Sequence, residues 1–250
     1  MRVDTLGKLR KLPIVSYGPF RLMEAVPWLM LAAAFRLLAY FHTSTALPAM
    51  ALASVSLLLA FLLASRRMIE LAEGQTELGS LTFLDQVTLS TRLLGRTLVV
   101  LIVGSITVGV IGAKTQAPHM MLGFDGIAFD QFTAIGKLWS SFLAAVVLLM
   151  ILGAGPKKEV RLVAALRELI WRWKWLVPAI VAVAIFQLGL GYIQGFGRSL
   201  VRLFVQTDAP VNIKNLLYFG FIFLFAAIRL WGTLAILTFA LRQSYRFRIS

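Results

Sequence analysis

The chain has 250 residues, of which 59% are hydrophobic and only 14% charged, and its formal net charge is +14. An ordinary soluble domain is about 45–50% apolar and about 25% charged, so this much apolar surface cannot all be hidden inside one soluble globule of this size. With no cysteine, a disulfide framework and a thiolate metal site are both excluded.

A bilayer core needs roughly 17–25 mostly apolar residues per helical crossing. Residues 1–25 form a basic arm carrying Arg2, Lys8, Arg10, Lys11 and Arg21. The apolar run that follows contains Arg36 and no small-residue cleavage site, so it reads as an uncleaved first span, 26–43, and not as a signal peptide. A short link containing Pro48 leads to the second span, 48–65, which makes the first pair a hairpin.

Beyond Arg66 and Arg67 come an acidic turn with Glu70, Glu73 and Glu77 and then a segment with two faces. Phe83, Leu84, Val87 and Leu94 oppose Asp85, Thr88 and Arg92, and Ser80 or Thr82 is expected to cap its start. The third span is 97–113. The loop after it holds His119, Asp125 and Asp130, one histidine and two carboxylates, which is too poor a ligand set for a metal site. The fourth span, 137–155, is closed by the helix-stopping pair Gly155-Pro156.

The stretch VRLVAALRELIWRWKWLVPAI, 160–180, is basic and rich in tryptophan, yet runs straight into an apolar wall. Helical spacing puts Leu162, Leu166, Leu169, Ile170 and Trp173 on one face and Lys158, Arg161, Glu168 and Arg172 on the other. Glu168 and Arg172 are four apart in the favourable order. A segment of this kind is expected to lie in the membrane interface, with Arg161 and Arg172 toward anionic headgroups and Trp171, Trp173 and Trp175 at headgroup depth. The fifth span, 175–193, carries Pro178 in its first turn and Gln187 at its middle. An amphipathic external segment with a turn at Asp208-Ala209-Pro210 leads to the sixth span, 216–241, and the tail is 242–250.

Lysines and arginines crowd the arm, the loops after spans two and four, and the tail. The other side holds only Lys114, Lys137, Arg198, Arg202 and Lys214. The positive-inside rule then sets both termini in the cytoplasm, with the bacterial inner membrane as the expected location. Because the basic residues flank spans and form no single stripe, the net charge does not point to nucleic acid. The expected fold is all-α: a polytopic membrane protein built as one integral domain, 1–250, in which a bundle of six transmembrane helices carries amphipathic interfacial helices in its cytoplasmic and external loops.

Arg229 lies at the centre of span six, and Arg36 is similarly deep in span one. A cation at bilayer depth costs at least about 2.5–3.5 kcal/mol on insertion scales and usually faces a bundle interior. The six spans contain no Asp or Glu, so the expected counterpart is a carbonyl, a lipid phosphate, an anionic ligand or an acid on another chain. With Gln187 as an interhelical hydrogen bonder, Arg36 and Arg229 are the candidate contacts to substrate, lipid or partner.

No catalytic or metal-binding residues and no cofactor are expected, because the sequence supplies no acid–base pair, activated nucleophile or glycine-rich phosphate loop. Asp125-Gly126 opens a CDP-alcohol phosphotransferase signature whose later residues are missing. The expected function is a non-enzymatic scaffold, assembly or lipid-organising subunit. Its expected partners are anionic membrane lipids together with another membrane or ATPase subunit or a second copy of the chain. The layout of six spans with cytoplasmic ends is also similar to the permeases of ABC exporters. That resemblance implies a subunit moving an anionic or lipid-linked substrate, with residues 70–92 meeting the ATPase.

Overall fold

A computed structural model of the protein describes residues 23–41, 46–71, 82–112, 134–154, 160–207 and 210–246. Most of the basic arm, the acidic turn after Glu70, the loop bearing His119, Asp125 and Asp130, the pair Gly155-Pro156, Lys158, Asp208-Ala209 and the end of the tail lie outside the described residues. Among the described residues seven helices follow one another: α1 Val26–Phe41, α2 Ala46–Leu71, α3 Phe83–Val110, α4 Ala134–Leu152, α5 Leu162–Trp171, α6 Trp173–Val205 and α7 Val211–Arg246. All regular structure among the described residues is therefore α-helical. Five of the helices, α2, α3, α4, α6 and α7, are long and apolar enough to cross a membrane. The first expected span appears as α1, whose 16 residues fall just short of that length.

Several expected boundaries merge. The two-faced segment after the acidic turn and the third span form one 28-residue helix, α3. Its start is fixed by a capping box: Asp85 N donates to Thr82 Oγ1 at 3.4 Å, and Thr82 N donates to Asp85 Oδ2 at 3.2 Å. Its end lies just before Gly112, whose φ of 87° is a conformation that glycine adopts without penalty. Likewise α6 runs through the expected break after Ile193 to a length of 33 residues, about 50 Å at 1.5 Å per residue. With α6 beginning at Trp173, Pro178 falls in its second turn and withholds a donor from the carbonyl of Lys174, a residue that is exposed.

The helices pack mainly as two neighbouring hairpins, α1 with α2 and α6 with α7. α4 lies on α6, and α7 also reaches α1 and α2. Leu57 to Ala64 of α2 and Leu143 to Ile151 of α4 are buried on every side. A helix that is apolar all round belongs at the centre of its bundle, and here that centre is skewed toward one end. The C-terminal halves of α2, α4 and α7 and the N-terminal halves of α3 and α6 supply most of the core. α3 is the outlying member, with 17% of its most apolar window buried against 67% for α2 and for α4. Stacking of Trp28 on Phe83, with ring centroids 5.9 Å apart, ties the start of α3 to α1.

The α6–α7 hairpin has the most regular contact. Along α6 the residues Leu176, Ile180, Val183, Gln187, Leu190 and Gln194 are buried at alternating steps of four and three, the spacing of knobs that enter holes on a facing helix. Two rings settle over glycines in reciprocal fashion. A Cβ added to Gly197 of α6 would meet Phe221 Cε2 of α7 at 2.7 Å, and one added to Gly232 of α7 would run into the ring of Phe186 of α6. Gly232→Leu is therefore expected to destabilise the hairpin by about 1–3 kcal/mol through overpacking. Thermal unfolding in detergent should show a lower Tm for the single variant and partial recovery on adding Phe186→Ala, because residues in contact do not act additively.

Candidate functional site

α6 and α7 bring two pairs of polar residues to the interior of their shared interface. Gln187 Nε2 donates to Thr233 Oγ1 at 3.3 Å, and Arg229 Nη2 donates to Gln194 Oε1 at 3.1 Å; all four side chains are buried. On α6 the two glutamines stand seven residues apart, and on α7 Arg229 and Thr233 stand four apart, so each helix turns both of its polar members to the same side. The site is thus a direct result of helical spacing within an otherwise apolar interface.

A cavity of about 40 Å³ opens beside these contacts. Its polar lining is Gln187, Arg229 and Thr233 together with Ser140 of α4. Leu57 and Phe61 of α2 wall it on one side, and Ala144, Ala226 and Leu230 complete the apolar part. One water needs roughly 10–15 Å³ of such space, so the cavity has room for a few waters or one small ion. Gln187 Oε1 is buried without a hydrogen-bond partner among the described residues. One turn from Ser140 on the same face of α4 is Lys137, 4% exposed and so taken into the interior.

Of the sequence candidates, Arg229 and Gln187 meet at this cavity. Arg36 is buried on α1, at 8% exposure, and is not among the lining residues. Sequence reading overlooked Ser140, Thr233, Gln194 and the burial of Lys137. A usable signal was present: Gln187 and Gln194 repeat at a heptad interval, and hydroxyls within apolar helices are natural partners for such amides.

The second constellation lies where α5 meets α6. Arg172 ends the first helix and begins the second, with φ −102° and ψ 20°, and its carbonyl accepts from the N–H groups of Trp175 and Leu176. Its side chain pairs with Glu168, Nε to Oε1 at 3.0 Å, as the four-residue spacing implied, and donates from Nη1 to Ser244 Oγ of α7 at 2.9 Å. Ser244 Oγ in turn donates to the Leu241 carbonyl at 2.7 Å. Arg172 is consequently a buried corner post, whereas Arg161, Arg167, Trp171, Trp173 and Lys174 are exposed around it and Trp175 is half-buried. Leu162 and Leu166 pack against the core and Leu169 is buried in it; Val163 and Ile170 stand outside.

Among the described residues no group of His, Cys, Asp and Glu is placed to hold a metal ion. Comparison of the chain with protein-family models, with curated proteins and with solved structures found no match.

Two outcomes test the polar contacts. Thr233→Val removes the acceptor used by Gln187 and is expected to cost about 1–3 kcal/mol. Gln187→Leu combined with Thr233→Val should recover most of that, since replacing both partners by apolar groups is nearly neutral. Ser244→Ala takes away the acceptor used by Arg172 Nη1, with an expected cost of about 1–3 kcal/mol in chemical or thermal unfolding of the purified protein.

Proposed function

We propose that the chain is a non-enzymatic integral membrane subunit that acts as a scaffold, assembly or lipid-organising component of a membrane complex. In this reading it crosses the bacterial inner membrane six times, α1 making the first crossing beside the five long helices, with both termini in the cytoplasm and α5 lying in the cytoplasmic interface. What carries the reading is the α5–α6 corner. Trp171 and Trp173, at 67% and 57% exposure, stand outside the bundle next to Ile170, Arg167 and Lys174, while Arg172 anchors the corner to α7. Indole rings and basic side chains side by side on a fixed surface suit the boundary between hydrocarbon and anionic headgroups.

The permease alternative ranks lower on a specific ground. The polar cavity among α2, α4, α6 and α7 has space for a few waters, far less than a lipid-linked or saccharide substrate fills. The described parts of α2, α4, α6 and α7 are also continuous helices, without the paired interruptions that build substrate sites in many secondary transporters.

Because the chain lacks cysteine, single introduced thiols report its topology cleanly. In intact cells a membrane-impermeant maleimide is expected to label Thr207→Cys and to reach Ala164→Cys only after permeabilisation; the opposite pattern defeats the orientation proposed. Lipid contact has its own readout. Phosphatidylglycerol in nanodiscs should raise Tm above that in phosphatidylcholine. Arg167→Gln with Lys174→Gln should remove much of the difference, each basic residue near the surface contributing about 1 kcal/mol. An unchanged lipid preference in the double variant counts against the interfacial role.

A further inference from the structure

The cavity between α2, α4, α6 and α7 has a definite electrostatic sign. Its lining includes the Arg229 guanidinium, whose Nε and Nη1 are buried as well as the Nη2 that bonds Gln194. Lys137 is buried one turn from Ser140 on the same helix face. None of the lining residues is acidic. α4, α6 and α7 have no Asp or Glu anywhere, and α2 has only Glu70, in its last turn and away from Leu57 and Phe61. In a low-dielectric interior, where charge interactions are weakly screened, such a site favours negative charge.

The hydrogen-bonding pattern agrees with that sign. Gln187 Oε1 is buried with no partner among the described residues while Nε2 engages Thr233. The two ends of an amide are interchangeable by a half-turn about its last bond. Turned over, Oε1 accepts from the Thr233 hydroxyl and Nε2 enters the cavity as a donor. The stranded acceptor disappears, and the cavity is then faced by N–H groups of Gln187 and Arg229 and the hydroxyl of Ser140. A pocket lined by donors and one cation, about 40 Å³ in volume, matches a small anion with little or no attached water.

We propose that this cavity binds one small monovalent anion of the halide class, held by Arg229, Ser140 and the Gln187 amide, with Thr233 fixing that amide. The anion supplies negative charge beside the buried Arg229 guanidinium in a cavity whose lining holds no acidic residue. The proposal deepens the reading of Arg229 and Gln187 as contact residues of a membrane subunit and rests on that reading only for the bundle's surroundings.

The experiment uses the full chain purified in detergent. Equilibrium binding of radioactive chloride should show one saturable site per chain, and Tm should rise with chloride, replaced by gluconate at constant ionic strength, as linkage requires. Ser140→Ala should weaken half-saturation about tenfold, as expected for loss of one hydrogen bond to a charged group, and Arg229→Gln should abolish the chloride response. If Arg229→Gln does not fold, Ser140→Ala and Gln187→Leu carry the test. Absence of saturable chloride binding overturns the proposal in favour of bound water. A chloride response unchanged in both Ser140→Ala and Gln187→Leu overturns it by placing the ion elsewhere. Stabilisation by inorganic phosphate without any by chloride overturns it in favour of an oxyanion or lipid headgroup. None of these results bears on the maleimide labelling, so the two readings fail separately.

Discussion

The register between α6 and α7 is the constraint on which the rest of the molecule depends. Phe186 over Gly232 and Phe221 over Gly197 fix how far one antiparallel helix is slid along the other. Given that alignment, Gln187 meets Thr233, Arg229 reaches Gln194, and Arg172 arrives beside Ser244 at the far end. A slip of one turn, about 5.4 Å, breaks all three polar contacts at once and drives both rings into side chains in place of glycines. Apolar packing alone is tolerant of sliding; buried polar pairs are not, because a mismatched partner is left without a hydrogen bond in a medium that supplies none.

That register also explains why the polar residues are tolerated at all. Leu57 to Ala64 of α2 and Leu143 to Ile151 of α4 are apolar throughout and bring no side-chain polar group of their own to satisfy. Away from those runs several buried residues are cationic or amidic: Lys137 on α4, Gln194 on α6, Arg229 on α7 and Arg36 on α1. Buried positive charge therefore sits at two levels: Arg172 at the α5–α6 corner, held by Glu168 and Ser244, and Arg229 beside the apolar Leu57 and Phe61.

Much of the architecture was legible in the sequence because long apolar runs leave little choice of structure in hydrocarbon. Pro48–Ser65 is apolar enough to span over the residues that hydropathy picks out, and Thr82 caps α3 through the pairing its spacing with Asp85 implies. Helix ends were harder to read. The fifth span is expected to stop at 193, yet α6 runs on through Gly195 and Gly197, and the Phe221 ring fills the space beside Gly197 that a Cβ would need. Arg229 and Gln187 were conspicuous as large polar groups among apolar neighbours. Ser140 and Thr233 were not, since a hydroxyl in an apolar helix ordinarily bonds its own backbone, as Ser141 does to the Lys137 carbonyl. Which of several hydroxyls faces a cavity depends on helix rotation and neighbouring helices, and a single sequence does not encode these in its spacing. Arg172 was read as a headgroup contact; its anchoring to Ser244, 72 residues away along the chain, had no local signature.

The 33 residues of α6 carry one more implication. For a rod of about 50 Å to fit wholly within a hydrocarbon slab of about 30 Å, it must lean roughly 53° from the normal, beyond the 0–40° that spanning helices adopt. Some of the rod is therefore obliged to emerge. The C-terminal turns of α6, where Arg198 and Arg202 alternate with Leu200, Leu203 and Phe204, have the mixed character that suits a boundary between hydrocarbon and water. In the membrane setting proposed above, a thinner or thicker bilayer would change how much of that length lies beyond the hydrocarbon.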